Sequence, residues 1–82
     1  MYGIHKPIMN TSDFKRKITE YLSGLELKKY RSFTMEADGG IWTIRTGMYE
    51  DIVEVRVNFA YGNKTMKAFV YEEGEGLLIQ AF

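Results

Sequence analysis

The side chains that could carry out a reaction in this chain are few. A hydrolase or transferase needs a nucleophile with a base beside it. The chain has no cysteine and a single histidine, His5. It also lacks a G-x-S-x-G elbow, a P-loop and an H-E-x-x-H motif. We therefore expect a protein that is not an enzyme and uses no cofactor. A catalytic role would require a second subunit to supply the missing groups.

Carboxylates are the side chains that could hold a cation. Five of them fall near two predicted turns: Glu50, Asp51, Glu72, Glu73 and Glu75. Oxygen ligands suit Mg²⁺ and Ca²⁺, but this spacing matches no EF-hand loop. We interpret the five as a solvated acidic rim and expect no metal. If the rim has a role, an acidic surface that meets a basic partner is favoured.

Cationic and aromatic side chains offer binding chemistry. The candidates for contact with a partner are Arg45, Arg56, Lys67, Phe69 and Tyr71. Arginine and aromatic residues are enriched at protein interfaces. Aromatic residues flanked by arginine and lysine also stack bases on some RNA-binding sheets. A second basic group comprises Lys15, Arg16, Lys28, Lys29 and Arg31. We interpret it as ordinary charged surface, and contact with phosphates is the alternative.

One helix is predicted over residues 12–23. It follows the capping residues 10–13, whose side chains can accept from the free N–H groups of a first turn. Its apolar stripe recurs at helical spacing and comprises Phe14, Ile18, Tyr21, Leu22 and Leu25. Gly24 is a natural stop, because glycine adopts the left-handed conformation of a C-cap.

After residue 29 the apolar pattern alternates, as in strands. The predicted strands are residues 30–37, 41–46, 52–60, 64–72 and 77–82, with a tight hairpin at residues 38–40 and a turn over residues 47–51. The connections are short, so the strands should form an antiparallel meander. We predict one α+β domain over residues 1–82, with one N-terminal helix packed on a five-stranded antiparallel β-meander in two layers.

This topology positions the candidate residues. It places the second and fourth turns at one end of the sheet, where the acidic rim collects. The open face, on the side away from the helix, should carry Tyr30, Ser32, Thr34, Ile41, Thr43, Arg45, Ile52, Glu54, Arg56, Asn58, Thr65, Lys67, Phe69 and Tyr71. Residues 1–10 are the alternative cover for part of this face.

The last strand is an apolar edge without charge or proline, and its contact residues are Leu77, Ile79 and Phe82. Proteins usually cover such an edge. We favour pairing with a second copy, a homodimer, over addition to a partner's sheet or cover by residues 1–8. Replacement of Ile79 by lysine or proline should then give monomers.

Composition limits the class of protein. The chain has 82 residues, no net charge and 45% hydrophobic residues. It contains no run of the roughly 18–20 apolar residues that would cross a bilayer. Together with the absence of cysteine, this favours a cytoplasmic protein that does not contact a membrane. A zero net charge also disfavours a simple DNA-binding protein.

These observations predict a small protein-interaction module. The partner should be another protein or a protein–nucleic acid complex. The chain is small and lacks catalytic motifs. We therefore specifically expect a phage or mobile-element accessory protein of the anti-CRISPR kind, which inhibits a larger host complex. The alternative is a single-stranded nucleic-acid binder that uses the open face together with residues 28–31.

Overall fold

The computed structural model describes residues 9–23, 32–74 and 76–82. It contains one helix, α1 (Thr11–Leu22), followed by five strands: β1 (Ser32–Ala37), β2 (Gly40–Tyr49), β3 (Ile52–Tyr61), β4 (Lys64–Glu73) and β5 (Gly76–Ala81). The strands form one antiparallel sheet in the order β1-β2-β3-β4-β5. The predicted α+β meander is confirmed. No helix in the described part of the chain is long and apolar enough to cross a membrane.

The helix begins where its capping residues predict. The Asn10 side chain accepts a hydrogen bond from the Asp13 N–H at 2.8 Å, which satisfies one of the free donors of the first turn. The helix ends at Leu22, and the N–H of the C-cap residue Ser23 bonds to the Thr19 carbonyl oxygen. The predicted stop at Gly24 and the stripe residue Leu25 lie outside the described residues.

Two-residue turns connect the strands and fix their register. Asp38 and Gly39 both have positive φ, 57° and 80°, as a type I′ turn requires. The turn predicted over residues 47–51 is wrong, because β2 continues through Tyr49 and only Glu50 and Asp51 form the turn. Because glycine is common in turns, Gly47 suggested that β2 ends before it. In the structure Gly47 remains in β2 and pairs with Glu54 of β3.

The core lies between α1 and the face of the sheet that carries the valines. Phe14, Ile18 and Leu22 of the helix are buried against it. Trp42 is fully buried, and its ring stacks on Phe14 and on Phe59 with centroids 5.6 Å and 4.4 Å apart. Stacked rings add to the hydrophobic gain of their burial. The opposite face of the sheet is backed by this rigid core.

Asp38 ties the helix to the first hairpin. Its Oδ2 accepts from the Tyr21 hydroxyl at 2.6 Å and from the Trp42 Nε1–H at 3.1 Å. The Lys17 Nζ lies 3.3 Å from its Oδ1. One carboxylate therefore joins two residues of α1 to the β1–β2 turn and to β2.

Candidate binding site on the open face of the sheet

Strand register brings the candidate residues into two neighbouring rows on the open face. In the first row, Arg45 of β2 pairs with Arg56 of β3, and Arg56 pairs with Phe69 of β4. In the second row, Lys67 of β4 lies beside Phe82, whose N–H donates to the Lys67 carbonyl oxygen at 3.0 Å. We call this group, Arg45, Arg56, Lys67, Phe69 and Phe82, the cationic–aromatic patch.

The two rings of the patch touch each other edge to face. The centroids of Phe69 and Phe82 are 5.0 Å apart, with an angle of 62° between the planes. Phe69 is half-buried, whereas Phe82 is 70% exposed. The Arg56 guanidinium lies 5.5 Å from the Phe69 centroid, within the range of a cation–π interaction. An exposed aromatic surface therefore lies next to positive charge.

Arg56 is the one cation of the patch that has an acidic neighbour among the described residues. Its Nε lies 3.3 Å from Glu54 Oε1, and Glu54 Oε2 accepts from the Tyr71 hydroxyl at 2.9 Å. Tyr71 is half-buried. Tyr71 therefore lies on the open face in the row of Glu54, where its hydroxyl orients Glu54 and, through Glu54, Arg56.

Arg45 and Lys67 have no ion-pair partner among the described residues. Arg45 stands directly opposite Arg56. Like charges at opposed positions of neighbouring strands destabilise a sheet. The open face therefore holds uncompensated positive charge at its centre, although the chain as a whole has no net charge.

A shallow groove of about 260 Å³ runs between the residues of the patch and Asn58. Pockets that enclose small molecules usually have volumes of ~300 to 1,000 Å³. A larger depression of about 420 Å³ lies at the β1–β2 hairpin, where Glu36 is the single titratable residue among the described residues of its lining. The groove and its cations therefore suit contact with an extended ligand on the surface.

The residues predicted as a self-association edge divide between the two faces of β5. Leu77 and Ile79 are partly buried and pack against the core on the helix side. Phe82 lies on the open face as part of the patch, and Leu78, which the sequence pattern did not single out, is 42% exposed on the same face. Among the described strands, β5 pairs with β4 alone. Residues 1–8, the alternative cover, lie outside the described residues.

The described residues of the acidic rim lie at one end of the sheet. Glu50, Asp51, Glu72 and Glu73 are all exposed there, and Glu75 lies outside the described residues. The β2–β3 and β4–β5 turns are separated by two strand spacings, about 10 Å. Within the described ranges, no three acidic or histidine side chains come close enough to hold a metal ion.

The second basic group is only partly described. Lys15 and Arg16 are exposed on α1, where Arg16 is 3.4 Å from Asp13 and 3.5 Å from Glu20. The remaining members, Lys28, Lys29 and Arg31, lie outside the described residues, as does Tyr30 of the predicted open face. The charge of Arg16 is therefore balanced within its own helix, unlike that of Arg45.

Comparison of the chain with protein-family models, with curated proteins and with solved structures finds no match. The function is therefore inferred from the chemistry of the surface.

Proposed function

We propose that this chain is a non-enzymatic interaction module that binds its partner through the open face of the sheet. The observation that carries the proposal is the cationic–aromatic patch, in which Arg45 and Arg56 lie opposite each other and Phe69, beside Arg56, contacts the exposed ring of Phe82. A sheet face that contacts only water is not stabilised by two like charges at opposed positions. A partner with negative charge would remove their repulsion.

The side chains of the patch are presented on a rigid support. Directly behind them, on the helix side of the same strands, Val55, Val57 and Val70 are buried. Because the backbone is already ordered, binding costs little conformational entropy beyond the fixing of the arginine and lysine side chains. Arginine and aromatic residues in such positions are those that dominate the energetics of many interfaces.

The proposal assigns no reaction to the chain. The partner is a larger molecule, such as a protein, a nucleic acid or a complex of the two, because the patch is an open surface and its groove of about 260 Å³ lies below the usual volume of pockets that enclose small molecules. The idea that the partner is a host complex, inhibited by an anti-CRISPR-like accessory protein, stays a prediction from size and composition.

A comparison of matched variants tests the proposal. The patch variant carries Arg45→Ser, Lys67→Ser and Phe82→Ser, and the control variant carries Lys15→Ser and Arg16→Ser on the exposed side of α1. Each is used to capture partners from cell extract with and without nuclease. We expect a partner that the wild type and the control capture and the patch variant does not. Equal capture by all three proteins would contradict the proposal.

A further inference from the structure

The chemistry of the partner can be inferred from the two kinds of group that the patch combines. Phe82 presents an exposed ring beside Phe69, and Lys67 lies next to Phe82 on the neighbouring strand. Aromatic rings next to a basic groove are how proteins hold single-stranded nucleic acid, with bases on the rings and phosphates on the cations. Stacking of this kind tolerates any base, because every base has a π face.

The positive groups are spaced along the surface. Arg45 and Arg56 lie on adjacent strands, about 5 Å apart at the backbone, and Lys67 lies about 7 Å along β4 from the row of Phe69. The three cations therefore lie on two sides of Phe69. Arg56 and Arg45 lie across the neighbouring strands, and Lys67 lies along β4. An extended backbone with regularly spaced negative charges matches this arrangement better than a single anion does.

Neutral polar groups complete the surface. Thr43 and Asn58 lie in the row of Lys67, and Gln80 lies beside Phe69. Amide side chains both donate and accept hydrogen bonds, as the exposed edges of unpaired bases do. Gln80 pairs with Phe69, and Asn58 lines the same groove as the two rings.

We propose that the patch binds single-stranded nucleic acid, with phosphates on Arg45, Arg56 and Lys67 and a base on Phe82. This inference rests on the proposed function, because it names the occupant of the same open face. A duplex fits less well, since the patch lies on the face of a five-stranded sheet, which is wider than the α-helix or two-stranded ribbon that a major groove admits. An acidic polypeptide would use the cations and leave the ring faces without a matching group.

The direct test measures fluorescence anisotropy of a labelled oligothymidylate of about 12 nucleotides, within the usual site sizes of ssDNA-binding domains. Binding is titrated over a series of salt concentrations. Neutralisation of three phosphates of a single strand predicts a slope of log affinity against log salt of about −2. Poly-glutamate serves as the competing polyanion, because it carries charge without bases.

Variants separate charge from stacking. Lys67→Ser should lower the affinity and reduce the steepness of the slope by about 0.7. Phe82→Ala should lower the affinity roughly 5- to 150-fold at every salt concentration with the slope unchanged. Lys15→Ser on α1 is the matched control and should change neither quantity. Thermal unfolding of each variant, followed by circular dichroism, checks that the substitution leaves the fold intact.

Two results would overturn this inference. One is the absence of oligothymidylate binding at low salt, and the other is binding that Phe82→Ala and Lys67→Ser leave unchanged. If poly-glutamate binds and the oligonucleotide does not, the occupant is an acidic polypeptide. In that case a nuclease-resistant partner, captured by the wild type and lost from the patch variant, would still support the proposed function.

Discussion

Asp38 begins the turn between β1 and β2 with a left-handed backbone, φ 57°. Asparagine also tolerates this conformation. Asp38→Asn should therefore keep the turn and weaken the bonds from Tyr21, Trp42 and Lys17 by removing the charge. We expect a loss of about 1 kcal/mol of unfolding free energy, measured by urea denaturation. Asp51→Asn is the matched control, since Asp51 is exposed and also left-handed, φ 68°. Equal effects of the two substitutions would contradict this account of Asp38.

The same carboxylate should make the stability depend on pH. Burial raises the pKa of Asp38, but the hydrogen bonds from Tyr21 and Lys17 outweigh this and hold the pKa below its usual 3.8. The stabilisation that Asp38 contributes is therefore fully present above pH 3.8, the pKa expected in the unfolded chain. It is lost as the pH falls through the lower pKa of the folded protein. The stability difference between the wild type and Asp38→Asn should be constant from about pH 5 to 8 and shrink in acid. A difference that grows in acid would contradict it.

Gly40 opens β2 at a point where the chain has no room for a side chain. A Cβ atom there would lie 2.3 Å from the Ala60 carbonyl oxygen and 2.7 Å from the Phe59 ring. Gly40→Ala should therefore destabilise the protein by about 1–3 kcal/mol, as overpacking does. Gly47→Ala is the control in the same strand, because a Cβ there meets no described atom within 4 Å. Thermal unfolding should show a lower midpoint for Gly40→Ala alone, and equal midpoints would contradict the clash.

At the scale of elements, the β2–β3 turn carries backbone strain at both of its residues. Glu50 and Asp51 both have positive φ, 49° and 68°, although neither is glycine. A left-handed residue with a side chain costs ~1–2 kcal/mol, and Asn-Gly is the preferred pair for a type I′ turn. Glu50→Asn with Asp51→Gly should raise the unfolding free energy by about 1–2 kcal/mol in urea denaturation. Glu72→Gln with Glu73→Gln controls for the lost charge. A gain of the same size in that control would show that charge repulsion, and not the turn, was relieved.

The helix and the strands were predictable from the sequence wherever the spacing of apolar residues agreed with the turn or capping residues beside them. The stripe of Phe14, Ile18 and Leu22 indicated α1, and Asp38-Gly39 indicated the first hairpin. The end of β2 was not predictable in the same way, because Gly47 resembles a turn residue while Glu50-Asp51 does not.

The candidate site was predictable in part for a related reason. The alternation of side chains along each strand is enough to place Arg45, Arg56, Lys67 and Phe69 on one face. The grouping of Phe82 with them depends on the register of β5, in which Gly76 pairs with Glu73 and Ala81 with Ala68. The bond from Tyr71 to Glu54 depends on side-chain conformations, which no sequence pattern specifies.

At the scale of the whole molecule, β5 is the surface that we predicted to pair with a second copy. Ile79 packs against the core, so its replacement would disturb folding as well as association. Leu78→Lys is the cleaner change, because Leu78 is 42% exposed and a lysine on an edge strand opposes strand pairing. Light scattering after gel filtration should give twice the 9.5 kDa chain mass for the wild type and the chain mass for Leu78→Lys. A wild-type protein that is monomeric would contradict self-pairing.

The central claim is that single-stranded nucleic acid binds on the open face, at the cationic–aromatic patch, and not on the helix side. The most direct measurement is a backbone amide NMR titration of the full chain with oligothymidylate. The account predicts saturable shifts at Arg45, Arg56, Lys67 and Phe82, while the amides on the exposed side of α1 stay in place. Shifts centred on α1, or no saturable shift at the patch, would contradict it.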